Sequence, residues 1–289
     1  MIWLKKHTDQ IQALIDEGTP ESFTYAALRC RLALEAVCYH RLQVAHDYIA
    51  AKDIQGWQPG KVVKQLMREI DPKITASFTL SISNRPVEPD APPFTREDFE
   101  AEEYFEVGRQ IGFDSEKIAK IWQSLGSFLH VRLPRDSQDP IETFGSPSAI
   151  GKKVQEALTL LRDLEKGTLV TGGFGEVVKV TCVCGRENAR RAAPLENGQI
   201  VSCINPNCQE RWTVEIEGGS IGFVRRILTI PCHACQTDHE FQEMPLISMR
   251  RHDIMNFPCS TCGEVNRTRW ILARHSEPAR PPRPPHEQS

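Results

Sequence analysis

The sequence predicts a multidomain α plus small-β protein: an N-terminal helical bundle with a β insertion, followed by two small β modules that each carry four cysteines. Three observations carry this prediction. Apolar residues recur every three or four positions through most of residues 1–170. Of the 10 cysteines, all but Cys30 and Cys38 fall between residues 182 and 262. The 289-residue length calls for about two domains at roughly 100–200 residues each. With 40% hydrophobic and 25% charged residues, the composition is that of a soluble globular chain. No apolar run reaches the roughly 18 residues that would span a bilayer. The opening MIWLKKHTDQIQ has neither the basic start nor the apolar middle of a signal peptide, so a cytoplasmic protein with no membrane partner is expected.

The first helix is expected over Ile2–Asp16. Thr19, Pro20 and Glu21 then supply an N-cap, a first-turn proline and an acid at the positive end of the helix dipole, opening a long second helix that runs without a breaker to Ile49. A third spans about Gly60–Ile70 and is stopped by Asp71 and Pro72. In ITASFTLSI, Ile74, Ala76, Phe78, Leu80 and Ile82 alternate with Thr75, Ser77, Thr79 and Ser81, the period of a half-buried strand. A partner strand is expected in YFEVGRQIGF, so residues 74–112, with Pro86, Pro89, Pro92, Pro93 and an acidic stretch, form a β insertion. Asp114 caps a helix over SEKIAKIWQSLGSFLHV, with Ile118, Ile121, Trp122, Leu125 and Leu129 on one face. After a proline-bearing linker (Pro134–Pro147), a last helix covers about Ala149–Glu165. The helical domain is thus 1–166, with the boundary near 167–176.

Beyond it the expected modules span 176–224 and 225–275, with strands in TVEIE and IGFVRRILTI and a turn at Gly218-Gly219. A proline-rich tail, 276–289, has little to bury and is expected to be disordered. The cysteines form four close pairs: Cys182-x-Cys184, Cys203-x4-Cys208, Cys232-x2-Cys235 and Cys259-x2-Cys262. Two such turns facing each other supply the four thiolates of a tetrahedral zinc ribbon, so two structural Zn2+ ions are expected. The spacing of the second set is close to standard; that of the first departs from it. His233 and His239 stand beside the second set, but four cysteines already complete it. Sequential pairing is the simpler arrangement, and cross-bracing of the first and third pairs is the other.

Lys179 is the sole lysine after residue 170, so the cations of this region are arginines, which favour bidentate contact with phosphate or carboxylate. Arg190, Arg191, Arg225, Arg226, Arg250, Arg251, Arg267 and Arg269, with Arg274, are therefore candidate nucleic-acid contacts, and Trp212, Phe223 and Trp270 candidate stacking partners. Equally, these arginines can pair with nearby acids. TGGFGEVVKV, from Thr171, has the look of a kinase glycine-rich loop, but no lysine follows Lys179 and neither HRD nor DFG occurs, so hinge and turn glycines are expected.

Two helical motifs, Arg31-x-x-Leu34-Glu35 in the long second helix and LGSFLH ending at His130, resemble the HEPN superfamily of all-helical prokaryotic domains. The resemblance covers residues 1–166 through these motifs. It implies a helical bundle, a homodimer, and in some members metal-independent RNA cleavage by an Arg and a His four to six residues apart; other members bind or regulate. Here Arg31, Glu35 and His130 are the candidate catalytic residues, but no Arg stands four to six residues before His130. Arg41-x4-His46 fits that spacing, as do Arg226/His233, Arg269/His275 and Arg280/His286, so the spacing alone carries little. The favoured expectation is a non-catalytic zinc-ribbon protein that binds RNA or DNA, or serves as an adaptor to a protein partner in a multi-subunit prokaryotic defence or toxin-type system. The alternatives are a HEPN-type endoribonuclease and a protein-docking module without nucleic acid.

Overall fold

The computed structural model describes residues 2–84, 95–101, 103–134, 136–138, 145–269 and 271. It is a mixture of helices and small sheets with two four-cysteine clusters. By its internal contacts the chain divides into two compact units, the first made of 1–208 and 212–224, the second of 209–211 and 225 onward.

In the first unit, α1 (Ile2–Glu17) and α2 (Pro20–Val44) are joined at Thr19, whose hydroxyl accepts from Ser22 N while Ser22 Oγ accepts from Thr19 N, a reciprocal cap. Two short 3-10 turns, His46–Tyr48 and Ala51–Asp53, lead to α3 (Pro59–Glu69). Next come β1 (Phe78–Ser83), α4 (Arg96–Ala101) and β2 (Tyr104–Gln110). Asp114 caps α5 (Ser115–Ser127) and Ser146 caps α6 (Pro147–Glu165), in both cases by accepting backbone N–H bonds. Helices α1, α2, α5 and α6 enclose the main core, in which Leu4, Leu34, Leu125 and Leu158 are fully buried. A second cluster joins the end of α2 to α3 and Ile74.

Three local expectations need correction. The second helix, expected to run to Ile49, ends at Val44 and is followed by the 3-10 turn His46–Tyr48. The strand expected from Ile74 begins only at Phe78, because residues 71–76 turn, with Ile74 N donating to Asp71 O and Ala76 N to Lys73 O. Ile74 then fills the core, while Leu80 and Ile82, expected to be half-buried, are exposed in an antiparallel hairpin where Ile82 faces Phe105. The helix expected to reach Val131 ends at Ser127, so His130 lies beyond it. Prolines 86–93, the tail 276–289, Trp270 and Arg274 lie outside the described residues.

The first unit continues through β3 (Val177–Thr181), β4 (Glu187–Arg191), β5 (Ile200–Ser202), β6 (Arg211–Glu217) and β7 (Ser220–Arg225), in sheets ordered β3-β4 and β5-β6-β7. The first cysteine module therefore belongs to the same compact unit as the helices. Ser202 Oγ donates to Asp53 Oδ1 at 2.7 Å, Lys52 Nζ donates to Cys208 O, and Arg191 sits 4.3 Å over the Tyr48 ring. The second unit holds β8 (Ile227–Pro231), β9 (Asp238–Gln242), α7 (Glu243–Ile247), β10 (Met255–Pro258) and β11 (Val265–Thr268), as hairpins β8-β9 and β10-β11. The single strand expected over 221–230 is thus two strands, broken at Arg226 and assigned to different sheets.

Candidate metal centres and cationic surface

Each cysteine set closes on itself. Cys182, Cys184, Cys203 and Cys208 bring all their Sγ atoms within 4.8 Å of one another, and so do Cys232, Cys235, Cys259 and Cys262. Pairing is therefore sequential rather than cross-braced. In the first set Cys182 and Cys208 are 3.6 Å apart and Cys184 and Cys203 3.8 Å; in the second, Cys235 and Cys259 are 3.5 Å apart and Cys232 and Cys262 3.8 Å. A tetrahedral ion with sulfur ligands at about 2.3 Å has edges of about 3.8 Å. These separations fit a four-thiolate ion and are far too long for S–S bonds, so the chemistry of the donor set is that of a metal site.

Tight turns present the thiols. Cys182 O accepts from Gly185 N, and Cys259 O from Gly263 N, the two glycines adopting φ of +82° and +76°. At the third knuckle Gln236 holds the left-handed position with φ 61°, and its N–H donates to Cys232 O. The resulting N–H groups point at sulfur. That of Arg186 holds the Cys184 thiol down to about 6, those of Cys235 and Ala234 hold Cys232 down to about 6, and those of Cys262 and Thr261 lower Cys259, so the turns favour thiolate in both sets.

Two residues that sequence reasoning missed organise both sites in the same way. Asn188 Oδ1 accepts from Ile204 N at 2.7 Å and its Nδ2 donates to Arg186 O. Asn266 Oδ1 accepts from His233 N at 3.0 Å and its Nδ2 donates to Glu264 O and toward Cys232 Sγ. Each asparagine is buried, stands four residues after a knuckle cysteine, and clamps the residue that follows a cysteine of the facing knuckle. The signal was legible as a repeated Cys-Gly-x-x-Asn, at 184–188 and 262–266, leading in the first set and trailing in the second. His239, itself outside the four-sulfur set, places its Nε2 3.3 Å from Cys259 Sγ of that set, and His233 Nδ1 meets Asn266 Oδ1. Cys30 and Cys38 stand apart in the helical core, their thiols pushed up to about 12 by burial.

The candidate arginines divide into two groups. Arg190 is buried and donates to Ala189 O and Ser202 O. Arg191 donates to Gly173 O and Gly175 O. In the second unit Arg225 makes a forked bond to Glu210, itself fully buried, and Arg226 does the same with Glu243, which raises the arginine further. These four hold the fold together. Arg250, Arg251, Arg267 and Arg269, all in the second unit, are exposed, and among the described residues no carboxylate pairs with any of their guanidinium groups, although the Arg250 backbone N–H donates to Asp253 Oδ2 at 2.6 Å. Trp212 is 2% exposed and Phe223 packs beside it in the apolar cluster around the first cysteine set, so neither is a free stacking platform.

Of the helical candidates, Arg31 and Glu35 are held in packing contacts, whereas His130 is not. Arg31 bonds Glu35 at 3.5 Å and lies 3.9 Å over the Trp122 ring, whose Nε1 donates to Glu35 at 2.8 Å. A Cβ at Gly126 would come within 2.2 Å of the Arg31 guanidinium, so the glycine makes room for it. His130 is exposed beyond α5, and no described hydrogen bond or ion pair joins its ring to Arg31. Arg41 is 1% exposed and bonds Gln110 and Ile111 O, whereas His46 is exposed, so the pair that fits the catalytic spacing does not converge. Among the described residues no helix is long and apolar enough to cross a membrane. Compared with known protein families, curated proteins and solved structures, the chain matches none.

Proposed function

We propose that the protein binds nucleic acid through the second unit, which is held in shape by a structural zinc ion. Both cysteine sets are read as zinc ribbons: four thiolates at tetrahedral spacing leave no open position for water or substrate, which suits a structural ion rather than a catalytic one. The observation that carries the binding reading is the group of four exposed arginines without carboxylate partners. Arg267 lies in β11 between buried Asn266 and half-buried Thr268, and Arg269 follows directly after the strand. Arg250 and Arg251 lie in the segment that leads into β10, and Met255 pairs with Thr268, next to Arg269. Guanidinium groups free of internal partners are available to phosphate.

The helical bundle is read as a HEPN-like domain of the non-catalytic kind, in support of which Arg31 and Glu35 are occupied around Trp122. Partnership within a prokaryotic defence or toxin-type assembly, and dimerisation through this domain, rest on the same resemblance.

The test is fluorescence anisotropy with a labelled single-stranded RNA and DNA over a salt series. Replacing Arg250, Arg251, Arg267 and Arg269 with Ala should weaken binding across sequences and flatten the salt slope by about 0.7 per lost phosphate contact. No binding by the wild type at low salt would favour the docking alternative. Metal-free cleavage of unstructured RNA that vanishes in His130→Ala would replace this reading with the ribonuclease.

A further inference from the structure

The glycine-rich segment that resembles a kinase loop lines a cavity of about 520 Å3 in the first unit. Its walls come from residues 71–78, from Gln110 and from the strap 171–175. The strap is built to fit. Gly173 and Gly175 take φ of +91° and +113°, and a Cβ on Gly173 would come within 2.7 Å of Asp71 Cβ. Asp71 fixes both sides, its carboxylate accepting from Lys73 N at 2.8 Å and from Phe174 N at 3.2 Å. Two phenyl rings, Phe78 and Phe174, meet edge to face at 5.0 Å and give the cavity an aromatic wall. Phe174 is 57% exposed, a large apolar side chain held at the mouth instead of in a core.

The charges around it are unbalanced. Lys73 lines the cavity; Arg191 donates to the strap carbonyls of Gly173 and Gly175; Arg41, fully buried, donates to Gln110. Of these cations only Lys73 is in the lining itself, and the one carboxylate there, Asp71, is already bonded to two backbone N–H groups. Gln110 is satisfied on both ends, accepting from Arg41 and Thr171 N and donating to Ile74 O and Ala76 O, so it does not compete for a ligand. A buried guanidinium without a carboxylate partner is costly and favours an anion nearby.

We propose that this cavity is a binding site for a small aromatic anion, a flat ring carrying a carboxylate or phosphate. The ring packs on Phe78 and Phe174, and the anionic group faces Lys73. The volume falls within the range of about 300–1,000 Å3 usual for small-molecule sites. The site is separate from the arginine face of the second unit, so its failure and that of nucleic-acid binding are distinguishable.

The test uses the full, metal-loaded chain and a charge series of one shape, namely benzoate, benzyl alcohol and benzylamine, with phenyl phosphate to separate the two anionic groups. Ligand-detected NMR and thermal shift should rank benzoate or phenyl phosphate first and benzylamine last. Phe174→Ala should abolish binding with the melting temperature of the ligand-free protein unchanged, since that ring is largely exposed. Lys73→Ala should weaken the anions about tenfold, the loss of one charge-assisted contact, and leave benzyl alcohol unaffected. Benzylamine binding as well as benzoate, no binding by any probe, or anion binding that survives Phe174→Ala would overturn the proposal.

Discussion

The two cysteine sets share one ligand geometry and one asparagine clamp, yet they stabilise very different surroundings. In the first, Cys182, Cys203 and Cys208 are buried, and Trp212, Val214, Val201 and Leu195 form an apolar cluster against them. In the second, Cys235 and Cys262 are exposed, and the unit is held by ion pairs: Arg225 with Glu210, Arg226 and Arg211 with Glu243. A metal at the first site would add to a core. One at the second would substitute for a core, as small modules require when apolar burial cannot offset chain entropy.

Metal removal should break the comparison most visibly. Binding of a structural zinc ion is worth roughly 10–16 kcal/mol in small modules, so a strong chelator should unfold the second unit entirely. The helical core, built from α1, α2, α5 and α6 without a metal, should keep its helical circular dichroism and its amide protection. Loss of both together would show that the helices depend on metal as well. Partial chelation should sharpen the contrast. With two thiols exposed, the second site should release its ion to a chromogenic chelator first, giving two kinetic phases of one equivalent each. Cys262→Ser should remove the faster phase and Cys203→Ser the slower one; a single phase would mean the two settings do not matter.

Ion pairing should matter less than metal but still be measurable. Arg225→Ala leaves the buried Glu210 carboxylate with fewer partners and should destabilise the second unit by about 3 kcal/mol in denaturant titration. Arg267→Ala removes an exposed side chain and should change stability by less than about 0.5 kcal/mol while weakening nucleic-acid binding. The reverse pattern would assign the arginines to the wrong roles. The asparagine clamp should show the smallest effect on folding and a clear one on the metal. Asn266→Ala removes support for the ligand turns and should lower metal affinity at the second site about 10- to 100-fold, read by competition with a chelator of known affinity. Asn188→Ala should have a weaker effect on metal affinity, because the apolar cluster also positions the first site. Equal losses at both would argue that the clamp alone sets ligand geometry.

Features that depend only on neighbours along the chain were legible before folding. Thr19, Asp114 and Ser146 cap helices where short-range rules place them, and cysteines two to five residues apart present their thiols together because a single turn brings them there. The Cys-Gly-x-x-Asn repeat was equally legible, being local. The rest was set by contacts between residues distant in the chain. The continuous pattern of 221–230 could not show that its halves pair in different sheets, and Ile74 alternates with polar residues yet turns into the core. Above all, the eight arginines are the same residue in similar local settings, but a long flexible side chain takes its partner from whatever the fold brings near. Arg190 meets a carbonyl 12 residues away and Arg225 a buried carboxylate 15 away, while Arg267, on β11, and Arg269, just after it, are exposed and pair with no carboxylate among the described residues.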